Sequence, residues 1–121
     1  MLIDSNLIIY AASGNYPDLV SWFLENELSV SAVTMVETLG YHILKLSEKT
    51  ALDKIFSAMS VVYPSPEIFE TAIELRQQRT MSLGDALIAA TALQEKITLA
   101  THNIKDYSWI KTLSLLDPMQ D

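Results

Sequence analysis

Cysteine is absent from all 121 residues. Disulfides, thiolate metal sites and thiol nucleophiles are thereby excluded, and any chemistry must rest on oxygen or imidazole. Glycine and proline are scarce, at three and four residues, which excludes fibrous and low-complexity classes. Three scattered glycines also cannot build a phosphate-cradling loop or a dinucleotide fingerprint. No Gly-x-Ser-x-Gly elbow supports a serine hydrolase, and His42 and His102 are not at zinc-ligand spacing. Positive charge is in short supply, with 8 Lys and Arg against 15 Asp and Glu and a formal net charge of −7. That sign is awkward for gripping a polyanion unless a bound cation or a basic partner reverses it locally. Apolar runs such as 7–12 are far too short to span a bilayer, so no membrane association is expected. The opening Met1-Leu2-Ile3-Asp4 has no basic leader with an apolar stretch and cleavage site, which makes a cytoplasmic location the expectation.

Half of the residues are hydrophobic, enough at this length for one sizeable core, and residues 1–121 are expected to form a single domain. The apolar surplus suits an oligomer or partner interface. Short apolar segments at 1–4, 28–31, 61–63 and 98–101 read as buried strands, with a weaker one at 110–116. Between them, Ser5-Asn6 supplies cap chemistry before the apolar stretch 7–12. Helical spacing follows at 18–26 (Val20, Phe23, Leu24), 34–46 (Met35, Leu39, His42, Ile43), 50–59 (Leu52, Ile55, Phe56, Met59) and 66–79 (Ile68, Ala72, Leu75). The segment 82–96 is apolar nearly all round and must be central; 102–108 reads as a loop and 117–121 as a polar tail. This alternation predicts an α/β fold, a three-layer α/β/α sandwich around a central, mainly parallel sheet. In such sheets the ligand site lies beyond the carboxyl ends of the strands, where the strand order reverses.

Acids fall at that edge. Thr34-Met-Val-Glu37 and Ser82-Leu-Gly-Asp85 both match the capping-box pattern, and taken singly each acid is explained as a helix cap. Asp4 resists this explanation, since it ends an apolar strand with no basic residue nearby in sequence. Together, Asp4, Glu37 and Asp85 would repel one another strongly in a low-dielectric pocket, and Arg79 and Lys105 are too few to offset it. A hard divalent cation, Mg²⁺ or Mn²⁺, accepts such carboxylates together with water and substrate phosphate. Asn103 and Asp106 follow a later strand and are candidates to complete the pocket.

Leu2-Ile-Asp4-Ser-Asn6, Ser31-Ala-Val-Thr34-Met-Val-Glu37 and Leu83-Gly-Asp85-Ala-Leu-Ile-Ala-Ala-Thr-Ala-Leu93, followed by Thr98-Leu-Ala-Thr101-His-Asn103-Ile-Lys-Asp106-Tyr107, resemble the PIN domain in this order. The likeness is greatest to the VapC toxins of toxin–antitoxin pairs. The resemblance runs nearly the full length and implies Mg²⁺- or Mn²⁺-dependent cleavage of single-stranded RNA by activated water. It makes Asp4 and Asp85 the principal metal ligands, Glu37 the third acid, and Asn6 and Thr101 the supporting shell that orients them. The position after Thr101-His102 is Asn103, where many relatives carry an acid, so the fourth ligand is open between Asn103 and Asp106. The resemblance further implies a homodimer and a small VapB-like antitoxin, whose basic segment would suit the negative charge. Two other readings compete. A catalytically inactive module would use the groove only to hold RNA or protein. A phosphoacceptor signalling domain would need an acidic pair at the first strand and a lysine after the last, and Asp4 has no acidic neighbour while Lys111 is poorly placed.

Overall fold

The structure is a computed structural model that describes residues 1–120. Asp121, the end of the expected polar tail, lies outside the described residues. Strands β1 (Leu2–Ile3), β2 (Ser29–Ser31), β3 (Ser60–Val62), β4 (Leu99–Ala100) and β5 (Leu115–Leu116) form a sheet of order β3-β2-β1-β4-β5. Each neighbouring pair is parallel. From β1 the chain steps outward through β2 to β3, then returns to the other side of β1 for β4 and β5. The strand order therefore reverses at β1 and β4, and the crevice beyond their carboxyl ends lies between Asp4 and Thr101.

Two-residue periodicity in the strands divides the core into two layers. Leu2 and Leu99 point to one face, where they pack with Ile68 and Leu75 of α5 (Pro66–Gln78), Ile88 of α6 (Leu83–Glu95) and Tyr107 of α7 (Ile104–Tyr107). Ile3, Val30 and Ala100 point to the other, against Leu7 and Ile8 of α1 (Ser5–Ser13), Leu19 of α2 (Pro17–Glu25), and Leu52 and Phe56 of α4 (Leu46–Ser57). The expected three-layer α/β/α sandwich is thus observed. Among the described residues no helix is long and apolar enough to cross a membrane.

Four segments depart from the sequence reading. The helix expected over 34–46 is α3 (Ala32–Leu39), capped by Ser31 through Val33 N and stopped at Gly40, where a side chain would collide with the Val36 carbonyl oxygen. Thr34 is consequently no cap, and Glu37 belongs to the body of α3 instead of a capping box. The helix expected over 50–59 begins earlier, because the Glu48 carboxylate accepts from Lys45 N at 3.1 Å and fixes the start at Leu46. The expected loop 102–108 contains the single turn α7, too short for any period to show, and of 110–116 only Leu115–Leu116 joins the sheet.

Candidate active site

The main chain leaves β1 and turns into α1 at Asp4, which is both the end of the strand and the N-cap of the helix. Its side chain is 3% exposed. Oδ1 accepts from Ser5 N at 2.8 Å, and Oδ2 accepts from Thr101 Oγ1 at 2.7 Å. Thr101 is fully buried at the end of β4, and its hydroxyl oxygen also accepts from Asn103 N at 3.0 Å. Asp85 lies in the first turn of α6, with its N–H donating to the Ser82 cap at 3.1 Å. Its carboxylate accepts from the Tyr107 hydroxyl at 3.1 Å, and that hydroxyl lies 3.4 Å from Asp4 Oδ1. Asp4 and Asp85 thus flank one phenol.

Glu37 approaches from α3. Its Oε1 accepts from Ser5 Oγ at 2.9 Å, and Ser5 Oγ lies 3.0 Å from the Thr34 hydroxyl. Ser5 therefore ties Glu37 to Asp4, its hydroxyl serving one acid and its amide the other. The Glu37 carboxylate fills the space that a side chain at residue 84 would take: a Cβ on Gly84 would sit 2.5 Å from Oε2. It rests over the start of α6, beside Asp85, where the helix dipole favours negative charge.

Burial pushes the Asp4 carboxyl above its ordinary value; the hydrogen bonds from Thr101 and Ser5 oppose this, and the charges of Asp85 and Glu37 add to it. The Tyr107 hydroxyl is driven well above the phenol range, by burial first and then by Asp4 and Asp85. It stays protonated and can only donate hydrogen between the two acids. Among the described residues no cationic side chain pairs with these acids. Among the described residues the ion pairs are Lys49–Asp53 and His102–Asp117, and neither reaches these acids. Arg79 instead stacks on Trp109, 5.6 Å from the ring centroid.

Of the residues expected in the site, Asp4, Asp85, Glu37 and Thr101 come together. Asn103 takes part through its backbone, as the cap residue of α7 and donor to Thr101. Asp106 is exposed, and neither it nor Asn6 makes a side-chain hydrogen bond to the acids among the described contacts. His102 faces Asp117 at 3.0 Å. Ser5, Thr34, Gly84 and Tyr107 are contributors the sequence reading left out. Ser5 and Thr34 carried signals that read as helix caps, and Gly84 and Tyr107 stood within the motifs of the resemblance without a role of their own.

Among the described residues no three His, Cys, Asp or Glu side chains close into a ready-made metal cage. The donor set nevertheless fits Mg²⁺ or Mn²⁺: a buried carboxylate with no cation to balance it, a second carboxylate across one hydroxyl, and a third toward solvent. Mg²⁺ characteristically takes one or two carboxylates and keeps several waters. Thr101→Val preserves shape but removes a donor from Asp4 and strands the Asn103 N–H. It should weaken Mn²⁺ uptake by about tenfold and cost about 1–3 kcal/mol of stability, read by calorimetric titration and urea unfolding.

Residues 1–108 match the PIN domain family. The chain belongs to that family. This PIN domain is 30% identical to Ribonuclease VapC2 of Rickettsia felis, with 94% of each protein covered. A chain of a toxin–antitoxin complex from Klebsiella pneumoniae superposes with a TM-score of 0.76 at 27% identity, covering 99% of this chain and 98% of that one. A chain of VapBC2 from Rickettsia felis, bound to a DNA fragment from its promoter, gives 0.80 at 25% identity, covering 95% and 96%.

Proposed function

We propose that this PIN domain is a Mg²⁺- or Mn²⁺-dependent endoribonuclease, the toxin of a type II toxin–antitoxin pair. The observation that carries the reading is the buried Asp4, crowded by Asp85 and Glu37 and, among the described residues, paired with no basic side chain. Repulsion of this kind persists in a fold when a ligand of opposite charge offsets it. Asp4 and Asp85 would hold the cation directly. Glu37, exposed on the solvent side, would hold its outer waters and orient the one that attacks. A bound cation supplies activated water and a positive charge against the phosphate oxygens. The negative chain itself contributes little grip on RNA, so phosphate binding depends on that charge.

The name of the Rickettsia relative as a ribonuclease, and the toxin–antitoxin assemblies of the superposed structures, support the same reading. A net charge of −7 complements a small VapB-like antitoxin whose basic segment enters the groove and occupies the place of the cation. The toxin would act as a homodimer in the cytoplasm, with residues 1–121 as one nuclease domain.

The test is Mn²⁺ titration by calorimetry beside cleavage of single-stranded RNA, for the parent and for Asp85→Asn. The parent should take up Mn²⁺ and cut, and the variant should lose both. Uptake without cleavage would make the chain a binding module, and no uptake would remove the basis of the proposal.

A further inference from the structure

The two principal acids are held unequally. Asp4 is anchored by Ser5 N and Thr101 Oγ1 whatever Tyr107 does. The Asp85 carboxylate has, among the described hydrogen bonds, one donor only, the Tyr107 hydroxyl. Tyr107 is itself fully buried, in the core layer that also holds Leu2, Ile88 and Leu99. Its single proton faces Asp85 Oδ1 at 3.1 Å and Asp4 Oδ1 at 3.4 Å.

From this asymmetry we infer that Tyr107 is a positioning residue: its hydroxyl holds the Asp85 carboxylate beside Asp4 before the cation arrives. Without that proton the half-buried Asp85 is free to turn away from a like charge toward water, and the cation must draw it back on binding. The hydroxyl engages Oδ1 of Asp85, and among the described residues Oδ2 of Asp85 has no protein donor and is available to a cation. The role rests on the cation site proposed above. It concerns preorganisation, so it affects the amount of metal needed more than the rate once metal is bound.

Tyr107→Phe keeps the ring and removes only the hydroxyl. The Mn²⁺ concentration for half-maximal cleavage should rise about tenfold or more, with a matching loss of affinity by calorimetry, while kcat at saturating Mn²⁺ falls by a much smaller factor than the affinity. A metal-free readout is independent of turnover: in urea unfolding with chelator, the effects of Tyr107→Phe and Asp85→Asn should be strongly non-additive. Unchanged Mn²⁺ affinity in Tyr107→Phe, or additive unfolding effects, would overturn the positioning role and leave the cation site standing. A parent that takes up no Mn²⁺ would sink both.

Discussion

Asp4→Asn is expected to abolish Mn²⁺-dependent RNA cleavage and, at the same time, to make the metal-free protein more stable. The loss should exceed about 100-fold, since removing an outer partner of a metal ligand alone costs about 10–100-fold. The gain follows from the titration of Asp4. Its folded pKa is raised above the unfolded value, by burial first and by Asp85 and Glu37 in addition. A raised carboxyl binds its proton more tightly in the folded state. Stability of the metal-free chain therefore falls as pH climbs from the ordinary carboxylate value through the raised one, and the full cost of the buried charge is present above it. Asparagine carries no charge, and its amide can still accept from Ser5 N and donate toward Thr101 Oγ1. Near neutral pH the variant should gain on the order of 1 kcal/mol, a rise in Tm of about 3–6 °C for a domain of this size. The gap should close as the pH is lowered and the parent's Asp4 takes up its proton. Calorimetric melting in chelator at neutral and acid pH measures this. A variant that melts below the parent at neutral pH would mean that Asp4 is a structural cap and not a strained ligand.

The same residue shows what was legible beforehand. Asp4 could be singled out from sequence because parallel topology brings strand ends to one edge, and an acid that closes an apolar strand has few bland explanations; Asp85, in the first turn of α6, reads singly as a helix cap and entered the cluster through the resemblance. The sheet and the central helix α6 were equally readable, since short apolar runs bounded by turn residues and a thirteen-residue helix with almost no polar face admit few arrangements. Glu37 was placed in the right cluster through the wrong local structure. Two hydroxyls three residues apart, Ser31 and Thr34, compete to cap α3, and tertiary position decides between them: Ser31 ends β2, while Thr34 is buried against Ser5. Tyr107 stood at the end of a motif of the resemblance, yet its role was not legible, for a different reason. Neighbouring residues of the single turn α7 point in different directions, Asp106 to solvent and Tyr107 into the core. Four residues give no period from which that choice could be read. Gly84 was read as scatter because its role lies in the space it leaves for a side chain from another helix.

The second large effect is expected from Ala89→Leu, at a position with no polar atom beyond the backbone. Ala89 lies one turn after Asp85 on the same face of α6, at the i, i+4 spacing. It is completely buried, as are Ala86 and Ala90. The small side chains let α6 sit close against its neighbours in the layer built from Leu2, Ile68, Ala72 and Leu99. Three added carbons have no surface to reach, so the helix must shift or its neighbours must leave their rotamers, at about 1–3 kcal/mol. Asp85 moves with the helix, while Asp4, held by β1 and Thr101, does not. A displacement of about 1 Å between reacting groups costs on the order of 100-fold in rate. Ala89→Leu should therefore melt several degrees lower and cut RNA far more slowly even where it is fully folded, whereas Leu83→Ala, on the exposed start of the same helix, should melt close to the parent. The comparison separates loss of fold from loss of register, because cleavage is measured well below the melting temperature of each variant. If Ala89→Leu cuts at the parent's rate while folded, the spacing of the two acids does not depend on how closely α6 packs. The alanines of this helix would then serve the core alone.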